Sequence, residues 1–173
     1  MNRIEQLANF LSPKLEVKAC TDKPGLGVFA VAALEPGELI AVWGGRIVSR
    51  AEAEAFPAEQ RRYVLQVEEA HYLAPLIPID AAEYVNHCCQ PNAGLVGQIT
   101  LAALRRIEPG EEVTFDYATT DSSDFLGFEC SCARVPCRGR VAGDDWRRAD
   151  VQAVNCGHFS PYLQRLIAKT KSA

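Results

Sequence analysis

Basic residues are not in excess in this chain. Its 18 lysines and arginines stand against 22 aspartates and glutamates, which gives a net charge of −4. A dedicated nucleic-acid-binding protein is usually basic, so this balance argues against direct contact with nucleic acid. The same mild acidity is compatible with a cationic, lysine-rich protein partner.

A long apolar run is also missing from the first residues. Residues 1–11 include Glu5 and have no apolar stretch, so we expect neither a signal peptide nor a membrane span. The expectation is therefore a cytoplasmic protein that makes no membrane contact, with export without a signal left open. Seven cysteines in this setting favour a metal site or free thiols over disulfides.

The length and the strand patterns predict one mainly β domain with short helices. A chain of 173 residues, 48% of them hydrophobic, is long enough to bury a core. Strands are predicted at residues 15–20, 28–43, 63–67, 72–74, 101–107 and 113–117. Pro-Gly pairs interrupt this pattern at Pro36-Gly37 and Pro109-Gly110, as expected for type II turns. We expect the strands on either side of each turn to form a hairpin.

Helices are predicted at the two ends of the chain and at one internal site. Ile4, Leu7 and Leu11 recur at helical spacing within an N-terminal arm of residues 1–13. Ser49 and Glu52 have the spacing of a capping box, which predicts a short helix ended by Pro57. Beyond residue 140, apolar residues return at helical spacing, and Ser160-Pro161 marks a second start. This helical tail, residues 141–173, is expected to dock on the core, with a weak dimer contact as the alternative to a monomer.

Three cysteines lie close together in Cys130-x-Cys132-x4-Cys137. Structural zinc usually takes four ligands in a tetrahedron, so a fourth ligand would have to come from another part of the chain. Three free thiols packed in the core remain the other interpretation. Cys20, Cys88 and Cys156 are interpreted as small buried residues.

Four motifs in order resemble those of the SET-domain protein-lysine methyltransferases. They are residues 25–30 (GLGVFA), residues 84–92 (YVNHCCQPN), residues 112–117 (EVTFDY) and the cysteines at 130–137. The resemblance covers about residues 14–140. It implies a β-clip fold of several small sheets with a knot-like threaded segment. Residues 14–122 would form the SET domain and residues 123–140 a post-SET zinc loop.

The resemblance also implies two bound groups. S-adenosylmethionine would be the methyl donor and S-adenosylhomocysteine the product, with one structural Zn²⁺. Cys89 would complete the zinc site with the three later thiols. The cofactor contacts implied are Lys23, Leu26, Gly27, Asn86, His87 and Phe128, the last against the adenine ring. Phe125 is a second aromatic candidate for that wall, and anchoring in the core is the alternative for both phenylalanines.

The catalytic position of the family corresponds to Tyr117, whose hydroxyl would orient the lysine amine. Trp43 and Phe115 would line the lysine channel. Trp43 departs from the tyrosine that many relatives carry, and its N–H differs from a hydroxyl in reach. Phe115 lacks a hydroxyl that would restrict the channel, which favours di- or trimethylation. A strand-end tyrosine that only packs on the core is the alternative for Tyr117.

Three functions are compatible with these motifs. The first is an enzyme that methylates lysines of a protein or peptide, a histone or another basic protein. The second is a catalytically silent, zinc-bearing SET module that binds lysine-containing peptides. The third, a zinc-knuckle nucleic-acid binder, is disfavoured by the acidic balance and by the absence of a basic patch around the cysteines. The small, Ala- and Arg-rich chain suits a stand-alone bacterial protein.

Overall fold

The computed structural model of the chain describes residues 9–171. Within them, short strands build four small sheets, and the helices are few and short, so the predicted mainly β fold is confirmed. The strands are β1 (Phe10–Leu11), β2 (Leu15–Ala19), β3 (Leu26–Ala30), β4 (Leu39–Val42), β5 (Arg46–Ser49), β6 (Leu65–Glu68), β7 (His71–Ala74), β8 (Asn86–His87), β9 (Ala93–Val96), β10 (Thr100–Ala103), β11 (Glu112–Phe115), β12 (Gly127–Glu129) and β13 (Arg140–Ala142). The α-helices are α1 (Arg50–Glu54), α2 (Ala58–Arg61), α3 (Ala149–Val154) and α4 (Pro161–Lys171).

The sheet order brings distant segments of the chain together. One sheet has the order β1-β4-β10-β9 and a second the order β2-β3-β11-β8, while β5-β7-β6 and β12-β13 form smaller sheets. Strand β8 pairs with β11 in parallel, with Asn86 opposite Thr114 and His87 opposite Phe115. This pairing lays the Asn-His motif alongside the strand that leads to Tyr117.

The two Pro-Gly turns form as predicted, but the predicted hairpins are wrong. Gly37 and Gly110 have φ of 81° and 89°, a conformation that glycine adopts without steric cost. The strands on either side of each turn belong to different sheets. Instead the residues just before the two turns pair with each other, through reciprocal hydrogen bonds of 3.0 Å between Leu34 and Ile107. Turn residues specify a local reversal of the chain, whereas the partner of each strand depends on contacts far away in sequence.

The helix predictions have mixed outcomes. The capping box is confirmed, because the Ser49 hydroxyl accepts from the Glu52 amide and the Glu52 side chain accepts from the Ser49 amide. The N-terminal helix falls mostly on residues 1–8, outside the described part of the chain, and Phe10–Leu11 is strand β1. At the other end, the Ser160 hydroxyl accepts from the amide of Leu163 in the first turn of α4.

Buried apolar side chains of the described residues form three clusters, a main one, a second one between the tail and the core, and a small third one around Tyr72. The main cluster includes Val28, Ile40, Leu95, Leu101 and Val113, which are at most 1% exposed. The second cluster packs the tail against the segment after β11. Its buried members are Ala118, Trp146, Val151, Phe159, Tyr162 and Leu163.

No helix between residues 9 and 171 combines the length and the apolar character that crossing a membrane requires.

Candidate functional site

A cavity of about 700 Å³ lies between the turn before β3, the segment around β8 and the chain after β11. Its volume falls within the roughly 300–1,000 Å³ typical of small-molecule sites. Eight of the nine residues predicted for catalysis, cofactor binding and the lysine channel line it. They are Lys23, Leu26, Trp43, Asn86, His87, Phe115, Tyr117 and Phe128. Gly27 is not among the described residues that line the cavity.

Tyr117 begins a 3-10 turn directly after β11. Its backbone N–H donates to Nδ1 of His87 at 3.2 Å, and its hydroxyl donates to the carbonyl oxygen of Val85 at 2.9 Å. Burial raises the pKa of the phenol above its usual value, so the hydroxyl stays neutral. Since the hydroxyl proton is directed at Val85, the oxygen lone pairs remain available to accept a hydrogen bond.

His87 is buried between Tyr117 and the cysteines. Burial, with Arg138 nearby, lowers the pKa of its imidazole to about 3, so the ring is neutral. Its Nδ1 accepts from the Tyr117 amide, and its Nε2 lies 3.4 Å from Sγ of Cys89 and 3.3 Å from the Arg138 guanidinium. The His87 side chain therefore connects the Tyr117 turn to the cysteines.

Asn86 belongs to a polar group with Lys23 and Glu112. The Asn86 amide donates to the carbonyl oxygen of Leu26 at 2.9 Å and to Oε1 of Glu112 at 2.7 Å. The Lys23 ammonium lies 2.7 Å from the other Glu112 oxygen. Sequence reasoning did not single out Glu112, because a glutamate that begins a strand has no local signal of such a partner.

Gly27 packs closely against protein groups beside the cavity. A Cβ at this position would lie 2.5 Å from Oε1 of Glu112 and 3.1 Å from Nδ2 of Asn86. The missing side chain thus makes room for protein groups beside the cavity. The predicted cofactor contact of Gly27 stays a prediction.

The aromatic side chains form a continuous wall. The Trp43 ring lies 5.3 Å from that of Phe115, and Phe115 lies 4.9 Å from Tyr117. The Trp43 indole N–H donates to the carbonyl oxygen of Ala82 at 3.1 Å, so it is not free to bind a ligand. Phe128 lies 5.9 Å from Tyr117 and 5.4 Å from His87.

Phe125 also lines the cavity, but it packs elsewhere. Its ring lies 5.3 Å from that of Tyr72, and the guanidinium groups of Arg50 and Arg61 lie over it at 5.4 and 5.6 Å. Of the two phenylalanines considered, Phe128 is therefore the one beside the Asn-His motif and Tyr117.

The four predicted metal ligands meet in space. The sulfur atoms of Cys89, Cys130, Cys132 and Cys137 all lie within 4.8 Å of one another. Three of the separations are 3.7, 4.0 and 3.6 Å. A tetrahedral zinc site with Zn–S bonds of about 2.3 Å requires sulfur separations of about 3.8 Å. The four thiols therefore have the number, the chemistry and the close spacing that a zinc ion requires.

The other three cysteines lie outside this group of four. Cys88 is buried as expected, and Cys20 is partly buried. Cys156 is exposed, so its interpretation as a buried residue is wrong. Cys156 lies two residues after the end of α3, on the side of the tail that faces solvent and not the core.

Arg138, next to the last cysteine of the group, makes a buried ion pair that sequence reasoning missed. Its guanidinium lies 2.6 Å from Asp116, and the Asn155 amide donates to the other Asp116 oxygen at 3.0 Å. The Arg138 backbone N–H points at Sγ of Cys89 at 3.4 Å. Losing one member of such a buried pair leaves an uncompensated charge, so these residues tie the cysteine loop, the Tyr117 turn and the tail together.

Comparison with known proteins places these residues in context. The family model of the SET domain matches residues 25–118. The histone-lysine N-methyltransferase Set2 of Drosophila melanogaster is 30% identical over 145 residues, which is 72% of this chain and 6% of that protein. The variant-silencing SET domain-containing protein of Plasmodium falciparum is 31% identical, over 71% of this chain and 5% of that protein. The histone-lysine N-methyltransferase Su(var)3-9 of Drosophila melanogaster is 29% identical, over 66% and 22%. The chain thus spans a small part of these relatives.

Proposed function

This chain belongs to the SET-domain family, and on that premise we propose that it methylates lysine side chains of a protein substrate with S-adenosylmethionine as donor. The observation that carries the proposal is the cavity that Tyr117 shares with Asn86, Phe115 and Trp43. It joins a polar end suited to a cofactor with an aromatic end suited to an alkyl amine. Histone-lysine N-methyltransferases among the relatives support the choice of acceptor. A bacterial origin and a weak dimer through the tail stay predictions.

The polar end of the cavity fits the cofactor. At the amino-acid end of S-adenosylmethionine, the Lys23 ammonium matches the carboxylate and the Asn86 side-chain oxygen matches the ammonium group, while Leu26 and Phe128 offer apolar contact to the adenine. When bound, the cofactor would supply an electrophilic methyl group on a sulfonium. The His87 ring itself faces Tyr117 and Cys89, so a His87 contribution would come from its main chain.

Zinc would have a structural role. Three of its ligands belong to residues 130–137 and the fourth, Cys89, lies four residues before the start of β9. One ion on these thiolates would hold the wall that contains Phe128, Cys130 and Cys132 against the segment around β8. Structural zinc contributes about 10–16 kcal/mol of apparent binding energy in small peptides, which is ample to order such a loop.

The aromatic end addresses the main obstacle to the reaction, which is the charge of the amine. Free lysine has a pKa of about 10.4, so roughly one in a thousand is neutral near pH 7.4, a deficit of about 4 kcal/mol. The walls formed by Trp43 and Phe115 would disfavour the charged form by desolvation. The Tyr117 hydroxyl donates its proton in a hydrogen bond to the Val85 carbonyl oxygen, so its oxygen would accept an amine N–H. This hydrogen bond would direct the nitrogen lone pair towards the methyl group. Such alignment is a large source of rate.

A methyl-transfer assay tests the proposal. The protein is incubated with radiolabelled S-adenosylmethionine and a panel of basic proteins that includes histones. We expect label in lysine, and a loss of about 100-fold or more in Tyr117→Phe, because misplacement of a reacting group costs that much. Tyr162→Phe is the matched control, since Tyr162 lies on α4 in the second cluster and does not line the cavity, and it should transfer normally. Transfer that is unaffected in Tyr117→Phe would contradict the role of Tyr117.

The silent peptide-binding module remains the second candidate because of Trp43. The Trp43 indole stands where the resemblance leads us to expect a tyrosine hydroxyl, and its N–H already donates to the Ala82 carbonyl oxygen. Calorimetric titration with the cofactor separates the two. Cofactor binding without transfer to any member of the panel would favour the silent module.

A further inference from the structure

Building on the proposed function, we propose that the Glu83 carboxylate binds the ammonium group of the incoming lysine and accepts its proton before methyl transfer. Glu83 was not among the residues that sequence reasoning selected. It lies on the 3-10 helix Ala81–Tyr84, and it lines the cavity together with Trp43 and Tyr117.

The neighbours of Glu83 in sequence locate it at the aromatic end. The residue before it, Ala82, accepts the Trp43 indole N–H, and Val85 accepts the Tyr117 hydroxyl. The two residues that hold the channel wall therefore flank Glu83 along the chain. Its charge also acts on the Tyr117 phenol, which places the two side chains within electrostatic reach of each other.

The Glu83 carboxylate has no cationic partner among residues 9–171. One oxygen accepts from the neutral amide of Asn9 at 3.0 Å, and the described residues offer the other oxygen no hydrogen bond. Two further carboxylates line the cavity, and each has a cation near it: Glu129 pairs with Arg140 at 3.0 Å, and Asp121, which accepts from the Ser123 amide at 2.6 Å, lies within electrostatic reach of Arg50. A carboxylate that lines a cavity and meets no cation among the described residues can bind a cation from outside.

An ammonium ion needs such a group to enter this channel. Apolar walls alone would exclude the charged form of lysine, which is nearly all of the lysine present near neutral pH. A carboxylate inside a low-dielectric site attracts a cation more strongly than it would in water. The rings of Trp43 and Tyr117, which also line the cavity, would add cation–π attraction.

The same carboxyl group is suited to take the proton. Burial, opposed by the Asn9 hydrogen bond and assisted by Asp80, raises the pKa of Glu83 to about 7. In the step proposed, an N–H bond of the lysine ammonium breaks, a carboxyl O–H bond forms on Glu83, and the nitrogen keeps the electron pair. The lysine becomes a neutral nucleophile and Glu83 a neutral acid. The proton then passes to solvent.

Several titratable groups surround this site and bear on its pH dependence. Asp80 acts directly on Glu83, and Arg62 and Tyr63 act with Glu83 on the Tyr117 phenol. Asp121 also lines the cavity, and burial raises the pKa of its carboxyl. Glu83 is the cavity carboxyl whose pKa is raised to about 7 and whose ionised form would attract the cation. Cation binding should therefore be strong above pH 7 and weaken as the pH falls below it.

The first test uses butylammonium chloride as the probe and calorimetry on the whole chain. With a carboxyl pKa of about 7, the ionised fraction and hence the affinity should fall about tenfold from pH 8 to pH 6. Glu83→Gln should bind about tenfold more weakly at pH 8 and show no such fall. Butanol, the neutral counterpart of the probe, should bind the wild type and Glu83→Gln with equal affinity. Glu16 is an exposed carboxylate on β2, so Glu16→Gln should bind butylammonium as the wild type does. Equal affinity of Glu83→Gln for butylammonium at pH 8 would overturn the proposal.

The second test addresses the proton. Methyl transfer to a lysine peptide should be about tenfold slower in Glu83→Gln at pH 7 and approach the wild-type rate near pH 10, where the amine loses its proton to solvent. Cofactor affinity, measured in parallel, should be unchanged. A deficit that is constant with pH would refute proton transfer to Glu83. Absence of transfer by the wild type would overturn the proposed function and the proton step, while the titration alone decides ammonium binding.

Discussion

Replacement of Cys89 by serine tests how the central motif is joined to the cysteine loop. Cys89 is 5% exposed and lies at the end of the segment that contains Asn86 and His87. Its sulfur lies 3.7 Å from that of Cys130 and 4.0 Å from that of Cys137. The other three cysteines of the group of four all belong to residues 130–137, so Cys89 alone would tie that segment to the core through the metal.

The size of the effect follows from the ligand count. Four thiolates share the roughly 10–16 kcal/mol of a structural zinc site, so one of them accounts for about 3 kcal/mol, or about 100-fold in affinity. A neutral hydroxyl replaces little of this at neutral pH. We therefore expect Cys89→Ser to bind zinc about 100-fold more weakly. Cofactor binding should weaken as well, because Phe128, Cys130 and Cys132 line the cavity.

Zinc content by elemental mass spectrometry and affinity by chelator competition measure the loss. The wild type should hold about one zinc per chain, as expected for a single four-thiolate site. Cys156→Ser is the matched control, since it also removes one thiol but from an exposed position outside the group of four. Wild-type affinity in Cys89→Ser would show that the fourth ligand is wrong and would refute the reasoning.

Two further predictions follow from the site and from the packing. The ring of Phe115 lies 4.9 Å from that of Tyr117, so Phe115→Tyr would add a hydroxyl beside Tyr117 and narrow the channel. We expect mass spectrometry to show a shift of the products towards monomethyl-lysine. Unchanged products would contradict the assigned position of Phe115. Gly143→Ala would bring a Cβ within 1.9 Å of the Ser123 carbonyl oxygen and should lower the free energy of unfolding by about 3 kcal/mol in urea, as overpacking does. Gly127→Ala, whose nearest contact is 3.8 Å away, is its control, and equal losses in the two variants would contradict the packing argument.

Features that depend on a few consecutive residues were predictable from the sequence. The Ser49 and Glu52 capping box and the start of α4 at Ser160 are local arrangements, and the structure has both. The Pro-Gly turns are local as well, and their glycines adopt the expected backbone conformation. The pairing of the strands next to those turns was predicted wrongly, because contacts in the core determine the partners of β3 and β4.

The site divides in the same way. Tyr117, Asn86 and the cysteines were identified from motif order and the family resemblance. Three residues of the site were missed, because the residues they meet are distant in sequence. Glu112 pairs with Lys23, and Arg138 pairs with Asp116. Glu83 lines the same cavity as the channel residue Trp43.

By itself, the amino-acid sequence determined the chemical types available: thiols at metal-ligand spacing, a phenol at the end of a strand, glycines where the backbone must turn. Only the tertiary structure decided which of them meet. Parallel pairing of β8 with β11 brings His87 to Tyr117, and the return of residues 130–137 brings three sulfurs to Cys89. The physical reason is that side-chain chemistry is a property of single residues, whereas distance, burial and charge compensation belong to pairs that only a closed core brings together.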